Sequence, residues 1–448
     1  MRKKLSFLII IIFALSAFSM TACNSVSITP NQNETILRVG SWDEYIDEGG
    51  EDSYVEGSLA LYEEFEEWYL QTTGKKIKVE YVTLQDNETM YNKIKMGDSY
   101  DLLCPSEYMI MKLATEGYLQ KLPATFHDAS LEYNYYAKYV SPYIKEVFEN
   151  GKLNDGSSWA EYSAGYMWGS TGFVFNPEMI DRNSIKSWNF ITSSNRNVTV
   201  KDNVRDTYFL GLGLHYEEKL LQLKQDYENG GSKEAYRTQL ETLMNDVSPE
   251  TIQNVRKKLE AMRKNLYGIE TDEGKLEIIM GRLAASYQWS GDAVYIIDEA
   301  EAYFEENPML LEYCVPESAS NLWFDGWVLM KDSKNVEAAT AFINFLSMPQ
   351  NVIRNMYYIG YTSCIGGDEV LEYVNDSYGA SDEDTDTVDY DVRYFFGENG
   401  IITTTEDQTK RQLFAQYPDQ NTIDRLVVMN YFDKTTNTTL NRMWTTIK

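Results

Sequence analysis

The sequence predicts an α/β chain folded as two lobes, and three observations carry that expectation. The 448 residues, 43% of them hydrophobic, suffice to bury more than one core. After residue 36 the chain alternates strand, helix, strand, helix, strand, the order that builds a largely parallel sheet. Residues 166–176 are mostly apolar and carry the small run Gly169-Ser170-Thr171-Gly172, which permits the change of direction of a strand crossing into a second lobe.

The start of the chain reads as an export signal. Met1-Arg2-Lys3-Lys4 precedes an apolar run from Leu5 to Phe18, a charged segment and short hydrophobic segment of secretory type, too short for a membrane span. Met20-Thr21-Ala22-Cys23 follows and resembles a bacterial lipobox, in which Cys23 becomes the lipidated first residue. Residues 1–22 are therefore expected to be a lipoprotein signal peptide, and residues 23–35, rich in Asn, Ser and Thr, a flexible tether. Their removal takes away three basic and no acidic side chains, so the formal net charge of −29 becomes −32. Such acidity argues against nucleic acid and anionic membrane surfaces as partners and suits cationic ones.

The first strand is Leu37 to Trp42, and the first helix follows from Leu59 to Tyr69 through Leu61, Phe65 and Trp68 until Gly74 stops it. Residues 78–82 alternate as a second strand, 89–96 as a helix, and 100–106 as a third strand ending in a turn. Ligands of such sheets bind beyond the carboxyl ends of the strands, near Trp42 to Tyr45 and Ser106 to Tyr108. Beyond the crossing strand, residues 197–200 form a strand, with Asp202 expected to cap the helix running to Leu214. Residues 217–266 are charged and helix-prone, broken at Gly230-Gly231, and read as a solvated face. Residues 283–292 return to a buried strand ending in an aromatic and an acid. In Trp323-Phe324-Asp325-Gly326-Trp327 a carboxylate lies between two indoles, a receptor for an organic cation or a capped core strand. Residues 336–346 are helical, 356–361 end a helix in a Gly-Tyr turn, 366–390 are expected to be a mobile acidic loop, and the chain from Thr422 is expected to be helical.

Other chemistries have little material. The four cysteines are widely spaced, and Cys23 leaves an odd three, so neither a disulfide framework nor metal-ligand spacing appears. Two histidines far apart do not suggest zinc or histidine catalysis. No cofactor and no metal is expected.

Seven stretches, ordered along the chain, resemble the spermidine/putrescine-binding proteins of ABC importers. They are Ser41-Trp42-Asp43-Glu44-Tyr45; Tyr100-Asp101 with Pro105-Ser106-Glu107-Tyr108; Trp168-Gly169-Ser170-Thr171-Gly172; Asp202-Asn203-Val204-Arg205-Asp206; Trp289-Ser290-Gly291-Asp292; Leu322-Trp323-Phe324-Asp325; and Phe342-Ile343-Asn344-Phe345-Leu346 with Ile359-Gly360-Tyr361. The resemblance implies a two-lobed, periplasmic-binding-protein-like (type II) fold with the ligand in a cleft between lobes. It implies lobe 1 over 36–172, lobe 2 over 173–322 with a helical insertion at about 217–250, a return to lobe 1 over 323–375, and an acidic loop and C-terminal helices over 376–448 packing on lobe 2. Its binding positions carry over to Trp42, Asp43, Glu44, Tyr45, Ser106, Tyr108, Asp206, Trp289, Asp292, Trp323, Asp325 and Tyr361. It also implies a monomer on the outer face of the cell membrane that hands its ligand to a separate permease. No Walker motif is present, so the ATPase is another chain.

Physical chemistry agrees with the transfer. An alkyl diammonium needs aromatic faces for its methylenes and an acceptor for each ammonium, because an unpaired charge in a closed cleft costs several kcal/mol. Trp42, Tyr45, Trp289 and Trp323 offer faces at roughly 0.5 to 2 kcal/mol per cation contact. Glu44, Asp206, Asp292 and Asp325 offer countercharge, and Trp327 is assigned to packing. Asn203 stands where spermidine-type members have an acid and Asp292 matches the putrescine type, which favours putrescine. The alternatives are a receptor for a sugar or oligopeptide, a polyamine sensor, and a two-carboxylate glycosidase.

Overall fold

The computed structural model describes residues 35–448 except 194, 196, 271–272 and 305–307. The signal, Cys23 and all but the last residue of the tether lie outside the described residues. The first ten strands in chain order are β1 (Thr35–Trp42), β2 (Ile77–Leu84), β3 (Leu102–Leu103), β4 (Ser163–Phe175), β5 (Val198–Val200), β6 (Gly268–Ile269), β7 (Ala285–Trp289), β8 (Glu312–Cys314), β9 (Ser320–Leu329) and β10 (Thr362–Ser363). Their main path is β2-β1-β3-β9-β4-β7-β5-β6, with β8 and β10 also pairing β4. β1 runs parallel to β2 and β3, and β5 parallel to β6 and β7. β9 is antiparallel to β3 and β4.

β4 joins the two halves. Its residues Ser163 to Ser170 pair with β9, and Thr171 to Phe175 pair with β7. The partner changes within the small-residue run that marked the crossing. All thirteen β4 residues are buried, as expected of a strand covered on both faces.

Two apolar clusters flank this seam. The first gathers Leu37, Val39, Phe65, Leu103, Ile110, Trp168, Trp327 and Phe342. The second gathers Phe173, Trp188, Phe209, Leu259, Tyr287 and Trp444. The C-terminal region is divided: Tyr390, Phe395, Tyr417 and Leu426 enter the first cluster, and Val427, Leu440 and Ile447 the second.

Local chemistry explains most element ends. The helix Leu61–Thr73 buries Leu61, Phe65 and Tyr69, and Gly74 closes it at φ 72°, a left-handed position that costs glycine little. The cap of the helix Val204–Glu228 is Asn203, not Asp202: the Asn203 side chain accepts from the Arg205 and Asp206 amides. Asp202 instead accepts from the Trp444 indole and pairs with Lys448. That helix continues well past Leu214. Within it Glu217 is 4% exposed and accepts the amides of Trp188 and Asn189, so it is not part of a solvated face.

Only residues 379–386 of the stretch 366–390 form a largely exposed loop. The helix Asp368–Tyr378 buries Val370 and Val374 completely, and Thr387–Asp391 pairs antiparallel with Ile401–Thr405. Acidic residues hid two valines at helical spacing. The C-terminal region likewise includes a strand, Leu426–Val428, parallel to β9, before its last helix, Lys434–Ile447. Among the described residues no helix is long and apolar enough to cross a membrane.

Candidate ligand-binding cleft

Strand ends converge where the halves meet. β1 ends at Trp42, β7 at Trp289, and β5 runs directly into Lys201. Three helices begin here: Glu107–Thr115 behind Ser106, Val204–Glu228, and Ser290–Tyr303 behind Trp289. Glu107, Asp206 and Asp292 lie in their first turns, where the helix dipole favours negative charge. Asp292, expected at a strand end, is thus on a helix.

Asp325 is the hub of the lobe 1 side. Its Oδ2 accepts from Tyr45 Oη at 2.7 Å and Trp42 Nε1 at 3.2 Å, and the Ser106 hydroxyl bonds the same carboxyl. A backbone bridge between Ser106 and Asp325, with a β-bulge in β4 opposite Gly326 and Asp325, fixes its position. Burial raises the Asp325 carboxyl above its ordinary pKa, and its three donors only partly offset this. Burial, then the Asp325 charge, pushes the Tyr45 phenol well up, so it stays a donor.

Aromatic faces close around this acid. The Trp323 and Tyr361 rings are 5.5 Å apart and Tyr361 meets Tyr45 edge-on at 6.0 Å. Trp323 Nε1 donates to the Ser170 carbonyl at 3.1 Å, which anchors its ring to β4. Tyr361 lies on Gly291, where a Cβ would stand 2.0 Å from the ring. Trp327 is 1% exposed against Tyr166 and Phe342 and packs, as expected.

The other side carries mixed charge. Asp206 is 5% exposed and its Oδ2 has no hydrogen-bond partner among the described residues. Burial pushes its carboxyl up to about 6 against the pull of Lys201, Arg205 and the Trp289 indole. Asp292 is not an open countercharge. It pairs with Lys201 Nζ at 2.7 Å and Lys275 Nζ at 3.0 Å, and accepts from Tyr361 Oη at 3.0 Å. Burial acts to raise its carboxyl, but both ammoniums together hold it below the ordinary range.

The sequence reading missed Glu107, Lys201, Arg205 and Lys275. Glu107 is 3% exposed, pushed up to about 8 by burial, against the pull of Arg205 and with the help of Asp325. The Arg205 guanidinium lies 3.8 Å from the Tyr108 ring centre and 4.6 Å from that of Phe432. Tyr108 in turn donates to Glu88 at 3.0 Å. Glu107 and Arg205 lay inside stretches already marked, so the signal was a charge beside each marked residue. Two expected residues stay outside the buried group: Asp43 and Glu44 are exposed on the turn after β1, with Glu44 at φ 50°. What remains is Asp325 held by Trp42 and Tyr45, with buried Glu107 coupled by charge both to it and to buried Asp206, a set suited to holding an organic cation.

The family described as bacterial extracellular solute-binding protein matches residues 60–367. A spermidine/putrescine-binding periplasmic protein of Salmonella typhimurium is 26% identical over 339 residues, covering 74% of this chain and 78% of that protein. The putrescine-binding periplasmic protein SpuD of Pseudomonas aeruginosa is 25% identical over 350 residues, covering 75% and 81%. Among solved structures, the spermidine/putrescine ABC transporter substrate-binding protein PotD from Streptococcus pneumoniae aligns with a TM-score of 0.60 at 25% identity, covering 92% of this chain and 98% of that one. The likeness supports the expected two-lobed, periplasmic-binding-protein-like architecture. With the family match spanning more than half of its length, the chain belongs to the bacterial extracellular solute-binding proteins.

Proposed function

We propose that this protein is the extracytoplasmic substrate-binding component of an ABC importer for polyamines, tethered to the membrane through Cys23. It captures the amine between its lobes and delivers it to a permease driven by a separate ATPase. The observation that carries this reading is Asp325, nearly excluded from water and bonded by Trp42 and Tyr45, with the Tyr361 and Trp323 rings packed beyond Tyr45 and buried Glu107 coupled by charge both to it and to buried Asp206. Burial outweighs the nearby bases and keeps the pKa of these acids raised, and an incoming ammonium supplies further compensating charge. The Salmonella and Pseudomonas relatives are named for the same ligand class. A sugar receptor also stacks rings but has no need for several carboxylates aimed at one place.

Thermal melting tests the reading. Putrescine or spermidine raises the melting temperature, and maltose and a tetrapeptide do not; a shift with the sugar or peptide and none with the amines rejects it. For the anchor, Cys23→Ser releases the protein from the membrane fraction into the medium or periplasm, and an unchanged distribution rejects lipidation.

A further inference from the structure

A lysine side chain is an aminobutyl group, four methylenes ending in a primary ammonium, the same arm that a polyamine presents. In this cleft one such arm is built in. Lys201 is 2% exposed, its Nζ 2.7 Å from Asp292 Oδ2 and 3.8 Å from the centre of the Trp289 ring. An aromatic face and a buried carboxylate are the two partners a ligand ammonium requires, and Lys201 takes both. The placement is set by the backbone. Lys201 follows β5, Trp289 ends β7, and the two strands are parallel neighbours registered at Val198 and Ala285.

We propose that Lys201 is the resident occupant of the Trp289–Asp292 subsite, so that ligand ammoniums are confined to Asp325 and Asp206 and the cleft selects a diamine over a triamine. This rests on the polyamine reading and sharpens it. Charge balance supports it. Among the acids Glu107, Asp206, Asp292 and Asp325, Asp292 takes both Lys201 and Lys275. Arg205, stacked on Tyr108, offsets Glu107, which leaves Asp206 and Asp325 as the two acids for ligand ammoniums. A triamine therefore brings one ammonium more than these two acids can match, and the excess is left in a site shielded from water.

Calorimetry on the purified protein tests this with putrescine and spermidine, each on the wild type and on Lys201→Met. Methionine keeps most of the length, and Asp292 retains Lys275. The wild type is expected to bind putrescine about tenfold or more tightly than spermidine, and the variant to shrink or reverse that ratio by gaining affinity for spermidine. An unchanged ratio in the variant, or a wild type that prefers spermidine, overturns the role of Lys201 while leaving polyamine binding intact. Binding of neither amine to the wild type overturns the polyamine reading itself and this inference with it. Should Lys201→Met melt before assay, Lys201→Gln is measured in the same way, and the wild-type ratio stands as a test without any variant.

Discussion

Replacing Asp325 by Asn separates binding from folding more sharply than any other change in the cleft. The side chain keeps its shape, and an amide oxygen can still accept from Tyr45 and Trp42, which both bond one carboxylate oxygen. What disappears is a charge. In the unliganded protein that charge is costly, because burial raises the Asp325 pKa; stability from such a group is complete below its unfolded pKa and declines as pH rises through the folded one. At neutral pH the substitution removes that cost and loses only the charge assistance of the remaining bonds, so unliganded stability should change by about 1 kcal/mol or less. Binding should respond far more. Truncating one partner of a buried, hydrogen-bonded charge pair costs about 2 to 5 kcal/mol, or roughly thirtyfold or more in Kd. Calorimetry with putrescine and denaturant unfolding without it read the two quantities. If the Asp325→Asn variant bound within about threefold of wild type yet unfolded more easily, Asp325 would be a structural cap and the cleft chemistry would need another hub.

Three further outcomes follow from the same geometry. Because Glu107 is pushed up to about 8 and Asp206 to about 6, amine binding should release protons and tighten from pH 5.5 to 8.5, while unliganded stability falls over the same window; calorimetry in buffers of different ionisation heat that showed no proton release would contradict this. Gly291→Ala places a methyl against the Tyr361 ring and should cost about 1 to 3 kcal/mol in stability or, if Tyr361 moves aside, comparable binding energy; a variant matching wild type in melting and affinity would refute that packing. Far from the cleft, Arg354 is 5% exposed and pairs with fully buried Asp47 at 2.7 Å and with Glu64 at 2.8 Å, so Arg354→Met should cost about 3 to 5 kcal/mol by denaturant unfolding, and a loss below about 1 kcal/mol would show the network to be dispensable.

The crossing strand and the first parallel strands were legible because long-range pairing reinforced strong local patterns. Gly169 to Gly172 announced the place where β4 changes partners, and Gly74 the end of a helix. The acid between two indoles was legible as a hub, but its donors Tyr45 and Trp42 lie 280 and 283 residues away and became visible only through the ordered resemblance. Lys201 was not legible at all as a cleft residue. A lysine after a short strand normally points to water, and only the registration of β5 on β7 turns it toward Trp289 and Asp292. The stretch 366–390 was legible only in part: its acidic composition suggested a solvated loop throughout, whereas Val370 and Val374 supply the apolar face that makes Asp368–Tyr378 a helix.

The central claim is that the cleft is built for a cation held by buried acids under aromatic rings. Titration of the protein with 1,4-diaminobutane and, in parallel, with 1,4-butanediol compares two chains of the same length that differ in charge. The account predicts saturable heat with the diamine, weakening as salt is raised, and none with the diol. Equal binding of both, or heat with neither, would contradict it.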